Sequence, residues 1–520
     1  MNRATARRCV GAMVLGALAV SPSIAQQRPV TGLTGAPQLA RVYTAIFDGR
    51  FDEVPTLVAQ ACPPAPVEAC RVVEALALWW RIQVDPNNTS RDAALSARAD
   101  AAIAAAEAWT AREPRRAEAW FYLGGAYGVR VQWRVLRAER LAAARDGKRI
   151  KDSLERALQL DPAMQDAYFG IGLYHYYADV APTAAKVLRW LLLLPGGDRA
   201  QGMQEMLRAR GGGQLLRSEA DYQLHILYLW YEKQPERALE LLADLQGRHP
   251  RNPHFRQLTA EIEDVYLHDT TASLRSWQAL LAAAREGQVT NPAMAEASAR
   301  LGAALQLDRL FESDAAVEHL RAVIAAKPTA PFGAVAQAQL QLGQALDRLG
   351  HRSEALSAYR AAIAAAASSD PLKIAEQARA GIRSAPKPRE AAAYRLSIEG
   401  WRKFERGAMD EAARAIAESL ALDPHSTVTR YRQTRILQAQ KNDAAALTIL
   451  EAIVLQRDLT PPTIYASACL DAGRMHEALG SRARAIELYE TVRGVFGADK
   501  VTISAAERAL ARLTTFARVR

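Results

Sequence analysis

The sequence predicts an all-α chain, an α-solenoid of paired helices with an N-terminal helical cap. Three observations carry that reading. Small and apolar residues recur on a 34-residue period. Turn punctuation such as Asp161-Pro162, Pro195-Gly196-Gly197-Asp198 and Asp423-Pro424 falls between helical patterns. No alternating β-branched run bounded by turn residues occurs. Composition agrees: 50% of the 520 residues are hydrophobic and 23% are charged, which excludes a mainly disordered chain.

The first 25 residues read as a secretory signal. Arg3, Arg7 and Arg8 form a basic start, Cys9 to Val20 an apolar run, and Ser23 and Ala25 the small residues of a cleavage site. The expected compartment is a bacterial periplasm. Removing Arg3, Arg7 and Arg8, with no acid among those residues, takes the net charge from +10 to +7. The remaining arginines are scattered among acids, so no nucleic-acid partner is expected. Residues 26–115 show helical stripes at Gln38–Phe47, Arg71–Val84 and Ser90–Thr110 and read as an N-terminal helical region.

The clearest repeat lies at Gly343, Ala355, Tyr359 and Ala362. With Gly343 at position 8 of a 34-residue unit, the others fall at 20, 24 and 27. The same ruler fits Tyr222, Ala238, Leu242 and Pro250; Gly400, Gly407, Ala412 and Pro424; and Gly473, Gly480, Ala485 and Tyr489. Leu301-Gly302 with Ala316 and Leu320 fits with two extra residues in the turn. Trp120, Leu123, Gly124 and Tyr127 open a unit whose second helix is extended, because Pro162 arrives late. Tyr168, Ile171 and Gly172 open the next. Small residues at 8 and 20 let two antiparallel helices approach, and large ones at 4, 7, 11 and 24 fill the space between them.

This pattern resembles the tetratricopeptide-repeat superfamily. The resemblance implies a helical solenoid that binds proteins and performs no chemistry. Its domain reading is a signal at 1–25, the helical region 26–115, irregular aromatic-rich repeats at 116–255, and repeats at 256–520 closed by a capping helix over Ile503–Phe516. In that superfamily, positions 2, 5, 9, 12 and 13 of each first helix line a concave groove. Carried over, they nominate Phe121 with Tyr122 beside it, then Phe169, Tyr176 and Tyr177, then Gln223, Trp230 and Tyr231 as binding residues. An aromatic groove offers apolar area at little entropic cost. The alternative is that these rings are plain core.

Nothing in the chain assembles a catalytic motif: there is no Gly-x-Ser-x-Gly, no His-Glu-x-x-His and no Cys-x-x-Cys. His249 and His254 straddle Pro250 and Pro253 and read as surface loop residues, so no metal and no cofactor is expected. Cys62 and Cys70 flank a Pro-rich turn; they are either a disulfide of an oxidising compartment or two free thiols. Cys469 reads as a small core residue. Gly211-Gly212-Gly213 reads as a connector, since the Lys-Ser/Thr of a phosphate loop does not follow. The apolar stretch Lys186–Leu194 is far too short to span a bilayer and reads as a buried helix or a membrane-touching element. The expected protein is therefore a non-catalytic periplasmic scaffold for a protein or peptide segment. The rival is a carrier holding a lipid or other apolar ligand between the aromatic helices of 116–232, with peripheral membrane or lipid contact.

Overall fold

The computed structural model describes residues 31–180 and 196–515. The signal-like residues 1–25 and the apolar stretch Lys186–Leu194 lie outside them. Among the described residues there are 24 α-helices, two short 3-10 turns and no β-strand.

Antiparallel pairs of neighbouring helices build the array. Helix Ala334–Arg348 packs on Arg352–Ala365, Pro388–Glu405 on Met409–Leu422, and Pro462–Ala478 on Arg482–Arg493. The 34-residue ruler holds at the contact points. A β-carbon at Gly343 would come within 2.6 Å of the Tyr359 ring, and one at Gly473 within 2.6 Å of Tyr489. At Gly400 the neighbours are Ile416 at 2.9 Å and the Ala412 carbonyl at 3.2 Å. Ala355, Ala412 and Ala485, at position 20, are fully buried. Position 8 is small because position 24 of the same pair is large. Gly302 departs from this scheme. It makes room for Trp277 of the preceding helix Thr270–Arg285, whose ring stands where a β-carbon would lie, rather than for its own partner Ser313–Ala326.

Helices Ala36–Phe47 and Val54–Ala61, then Val67–Gln83 and Asp92–Arg112, fill the region before residue 116. No break in the core separates this region from the repeats: one apolar cluster runs from Ala36 through Tyr122 and Tyr222 to Ile262. The next pair, Ala117–Leu136 and Arg140–Leu160, has 20 and 21 residues, so both helices are extended rather than only the second. In the following pair, helix Ala167–Val180 meets Arg199–Gly212 through Gly172 and Gly202, each with the other's carbonyl 2.6–2.7 Å from where a β-carbon would stand. Helix Lys500–Thr515 closes the described chain.

Three links between distant turns show how the array coils. Thr290 Oγ1 donates to the Asp48 carbonyl at 3.2 Å, 242 residues away. The Phe332 amide donates to Asp85 Oδ1 at 3.0 Å across 247 residues. The Lys500 amide donates to Asp269 Oδ2 at 2.9 Å across 231 residues. Each joins the turn inside one hairpin to the turn between two later hairpins. A spacing of about seven 34-residue units means that the array returns over itself once in that length.

Candidate functional site

The inner side of the first-half helices is covered by the chain's own N-terminus. Glu118 accepts from the Thr34 amide at 2.7 Å and its hydroxyl at 3.0 Å. The Trp80 indole N–H donates to Glu219 at 3.1 Å, and Gln83 donates to the Tyr222 hydroxyl at 2.7 Å. Phe47 stacks obliquely on Trp80 at 4.5 Å, and Trp80 meets Tyr222 edge-on at 4.7 Å. Asn252 reaches the Phe47 carbonyl at 2.6 Å. Helices 36–83 thus lie against this side of the array.

The nominated binding residues divide accordingly. Phe121 and Tyr122 are buried, with Tyr122 edge-on to Phe121 at 5.0 Å and stacked with Trp109 at 6.2 Å. Phe169 is buried, and Gln223 is buried and bonded to Gln132 at 3.1 Å. All four are interior: Phe121 and Tyr122 share a core with the N-terminal helices, while Phe169 packs among Met206, Leu224 and Leu227. Tyr176, Tyr177 and Tyr231 come together as three rings at 5.6–5.9 Å. Tyr176 is buried, and its hydroxyl donates to Glu232 at 2.5 Å; desolvation and that carboxylate together raise its pKa. Trp230 and Tyr231 stay open, 53% and 38% exposed. Thirty-five residues further on, Val265 and Tyr266 are exposed at the matching helix end.

A cavity of about 600 Å³ is lined by Arg199, Met203, Tyr228, Glu232, Gln234 and Arg237 among others, with neither Trp230 nor Tyr231 in its walls. Arg199 pairs with Glu232, holding its carboxylate below the usual range, and Arg237 lies 5.4 Å over the Tyr228 ring. The walls therefore offer guanidinium and carboxylate groups and one aromatic ring, Tyr228. Sequence reasoning missed Arg199, Glu232 and Arg237. Glu232 follows Tyr231 directly, but nothing in the repeat pattern pairs it with a residue 33 positions earlier.

The expectation for the two histidines is corrected. His249 and His254 are buried rather than surface loop residues. Ser218 Oγ lies 2.7 Å from His249 Nε2, and His249 Nδ1 lies 3.5 Å from Asp48 Oδ1. That row has the order of a nucleophile relay. Arg248 donates to the same Ser218 oxygen at 2.6 Å. The row runs from the later hairpin to the turn at Asp48, with His249 Nδ1 and Asp48 Oδ1 each left without a hydrogen bond. His254 sits 3.5 Å from the Tyr222 hydroxyl. The three-glycine run ends helix Arg199–Gly212, and the amides beyond it are taken by Asp166, which accepts from Gln214, Leu215 and Leu216 at 2.8–2.9 Å. Among the described residues no group of three or more His, Cys, Asp or Glu is placed to hold a metal, and no helix is long and apolar enough to cross a membrane. Cys62 and Cys70 have their Cα atoms 6.6 Å apart and are joined through sulfur, while Cys469 is buried and its thiol is pushed up to about 11.

These contacts define an all-α array of helix pairs packed in the tetratricopeptide manner. No family model matches the chain, and no curated protein matches it. Solved structures to which it is similar include a tetratricopeptide repeat protein from Parabacteroides merdae, 16% identical, covering 57% of this chain and 98% of that one with a TM-score of 0.24. The tetratricopeptide domain of P58(IPK) is 13% identical over 75% and 99% of the two chains, with a TM-score of 0.23. The APC/C hetero-tetramer Cut9-Hcn1 is 13% identical over 92% and 83%, with a TM-score of 0.25. The repeat type rests on the packing at Gly343, Gly400 and Gly473, not on these scores.

Proposed function

We propose that the protein is a non-catalytic scaffold that binds a protein segment, exported to the periplasm by its N-terminal signal. The observation that carries this reading is the pair Trp230 and Tyr231, left open at the end of helix Arg217–Trp230 in a molecule that buries most of its other large rings. Exposed aromatic side chains are frequent anchors of protein recognition. The Arg199–Glu232 pair beside them suits the backbone and polar side chains of a peptide. The segment docks at the hairpin ends, since the inner face is already filled by helices 36–83.

The carrier reading needs rings arranged around a hollow. Phe121, Tyr122 and Phe169 are packed against protein instead, and they do not support it. A photo-crosslinking residue in place of exposed Lys233 tests the two readings in envelope extract. Protein adducts that disappear with Trp230→Ala and Tyr231→Ala are the expected result. Recovery of lipid adducts alone overturns the proposal. Export is checked by fractionation of the full chain against one lacking residues 1–25.

A further inference from the structure

From the tip of the hairpin Ala117–Leu136/Arg140–Leu160 we infer a docking surface for an anionic lipid membrane. Residues 130–151 contain eight arginines and lysines against two acids, Glu139 and Asp146, in a chain whose whole net charge is +10. Five of the eight are paired. Arg130 and Arg134 hold the buried Asp146 at 2.8 and 2.6 Å, and Arg137 holds Asp92 at 2.5 Å and the Pro86 carbonyl at 2.8 Å. Lys148 and Lys151 pair with Asp152 and Glu155. Arg140, Arg145 and Arg149 have no ion-pair partner among the described residues and are exposed.

The same tip exposes apolar side chains. Val135 is 64% exposed, Leu136 36% and Leu141 46%, on either side of the turn at Ala138. Leu141, Arg145 and Arg149 follow at four-residue steps and so share one helix face. Apolar residues at a hairpin end, bordered by unpaired arginines, match the boundary between lipid headgroups and acyl chains, where side chains settle about 5–10 Å deep. A flat or grooved acidic protein would leave the leucines and valine without a partner. The clamps at Asp146 and Asp92 hold the tip rigid before contact, so little ordering entropy opposes docking. Each unpaired arginine near an anionic surface raises partition about fivefold.

Co-sedimentation of the full chain with vesicles tests this. Vesicles of phosphatidylcholine mixed with phosphatidylglycerol are expected to bring the protein down, and pure phosphatidylcholine vesicles are not. High salt and the double change Arg140→Glu, Arg145→Glu each reduce binding at least tenfold. The change Val135→Ser, Leu141→Ser reduces it several-fold while the circular dichroism melt stays unchanged. Absence of binding to the anionic vesicles overturns the proposal. So does binding that is insensitive to Val135→Ser, Leu141→Ser and is matched by soluble polyglutamate, because the tip would then recognise acidic polymers and not a membrane. Neither result bears on the Trp230 site.

Discussion

Gly343 lies against the ring of Tyr359, whose Cδ1 and Cε1 are 2.6 Å from where a β-carbon would stand. Both residues are buried, and the Tyr359 hydroxyl is fixed by Asp347 at 3.0 Å, so the ring has nowhere to move. Gly343→Ala is expected to cost about 1–3 kcal/mol through overpacking, despite the better helix propensity of alanine. Gly147, in helix Arg140–Leu160, has open space around it, and Gly147→Ala should gain about 0.5–1 kcal/mol. Urea denaturation of the two variants measures opposite signs if helix-pair contact sets the repeat. Equal effects would disprove it.

The divided aromatic set gives a second test. Tyr122→Ala empties a packed interior position and should cost about 3–5 kcal/mol. Trp230→Ala changes a half-exposed side chain and should move stability by less than about 0.5 kcal/mol while weakening partner capture. Thermal melts of both variants, with capture measured for the second, separate core from recognition surface.

Stability should depend on pH through residues buried between the N-terminal helices and helix Arg217–Trp230. Burial depresses His225 to about 3 and His254 to about 4. Unfolded histidine binds its proton near 6.5, so the unfolded chain takes up more protons below that pH and stability falls as pH drops from about 6.5 to 4. Each unit of separation is worth about 1.4 kcal/mol. Glu219 works the other way. Burial raises its carboxyl to about 7, so its contribution is full below its unfolded pKa and is lost as pH rises through 7. Glu219→Gln should flatten the alkaline side of the stability profile, and His254→Gln the acidic side, in denaturation curves taken across pH 4 to 8.

The Cys62–Cys70 bridge closes a short loop and should contribute about 2–3 kcal/mol in an oxidising medium. In denaturant without reductant, a chain beginning at residue 26 should show one reactive thiol, Cys469, and three after reduction. Three thiols before reduction would mean that no bridge forms.

The repeat itself was legible because close helix packing restricts residue size at fixed spacing. Gly400 against Ile416 and Gly473 against Tyr489 could be paired from the 34-residue ruler alone. Gly302 could not. A glycine records only that something approaches, and Trp277 from the preceding helix satisfied it as well as the predicted partner would have. Binding residues were less legible for the same reason. Phe121 and Trp230 both fall at nominated lining positions, 5 and 12 of the ruler, yet one is covered and the other open.

By itself, then, the sequence determined the all-α architecture, the pairing of most helices and the places where backbones come close, since these depend on side-chain size within about 34 residues of chain. Only the tertiary structure decided that helices 36–83 cover the inner face, that His249 and His254 are buried, and that Trp230 remains open. Those outcomes depend on contacts such as Asn252 with Phe47, 205 residues apart, and on the return of the array at Asp48, Asp85 and Asp269. A local period carries no record of which distant surface closes over it.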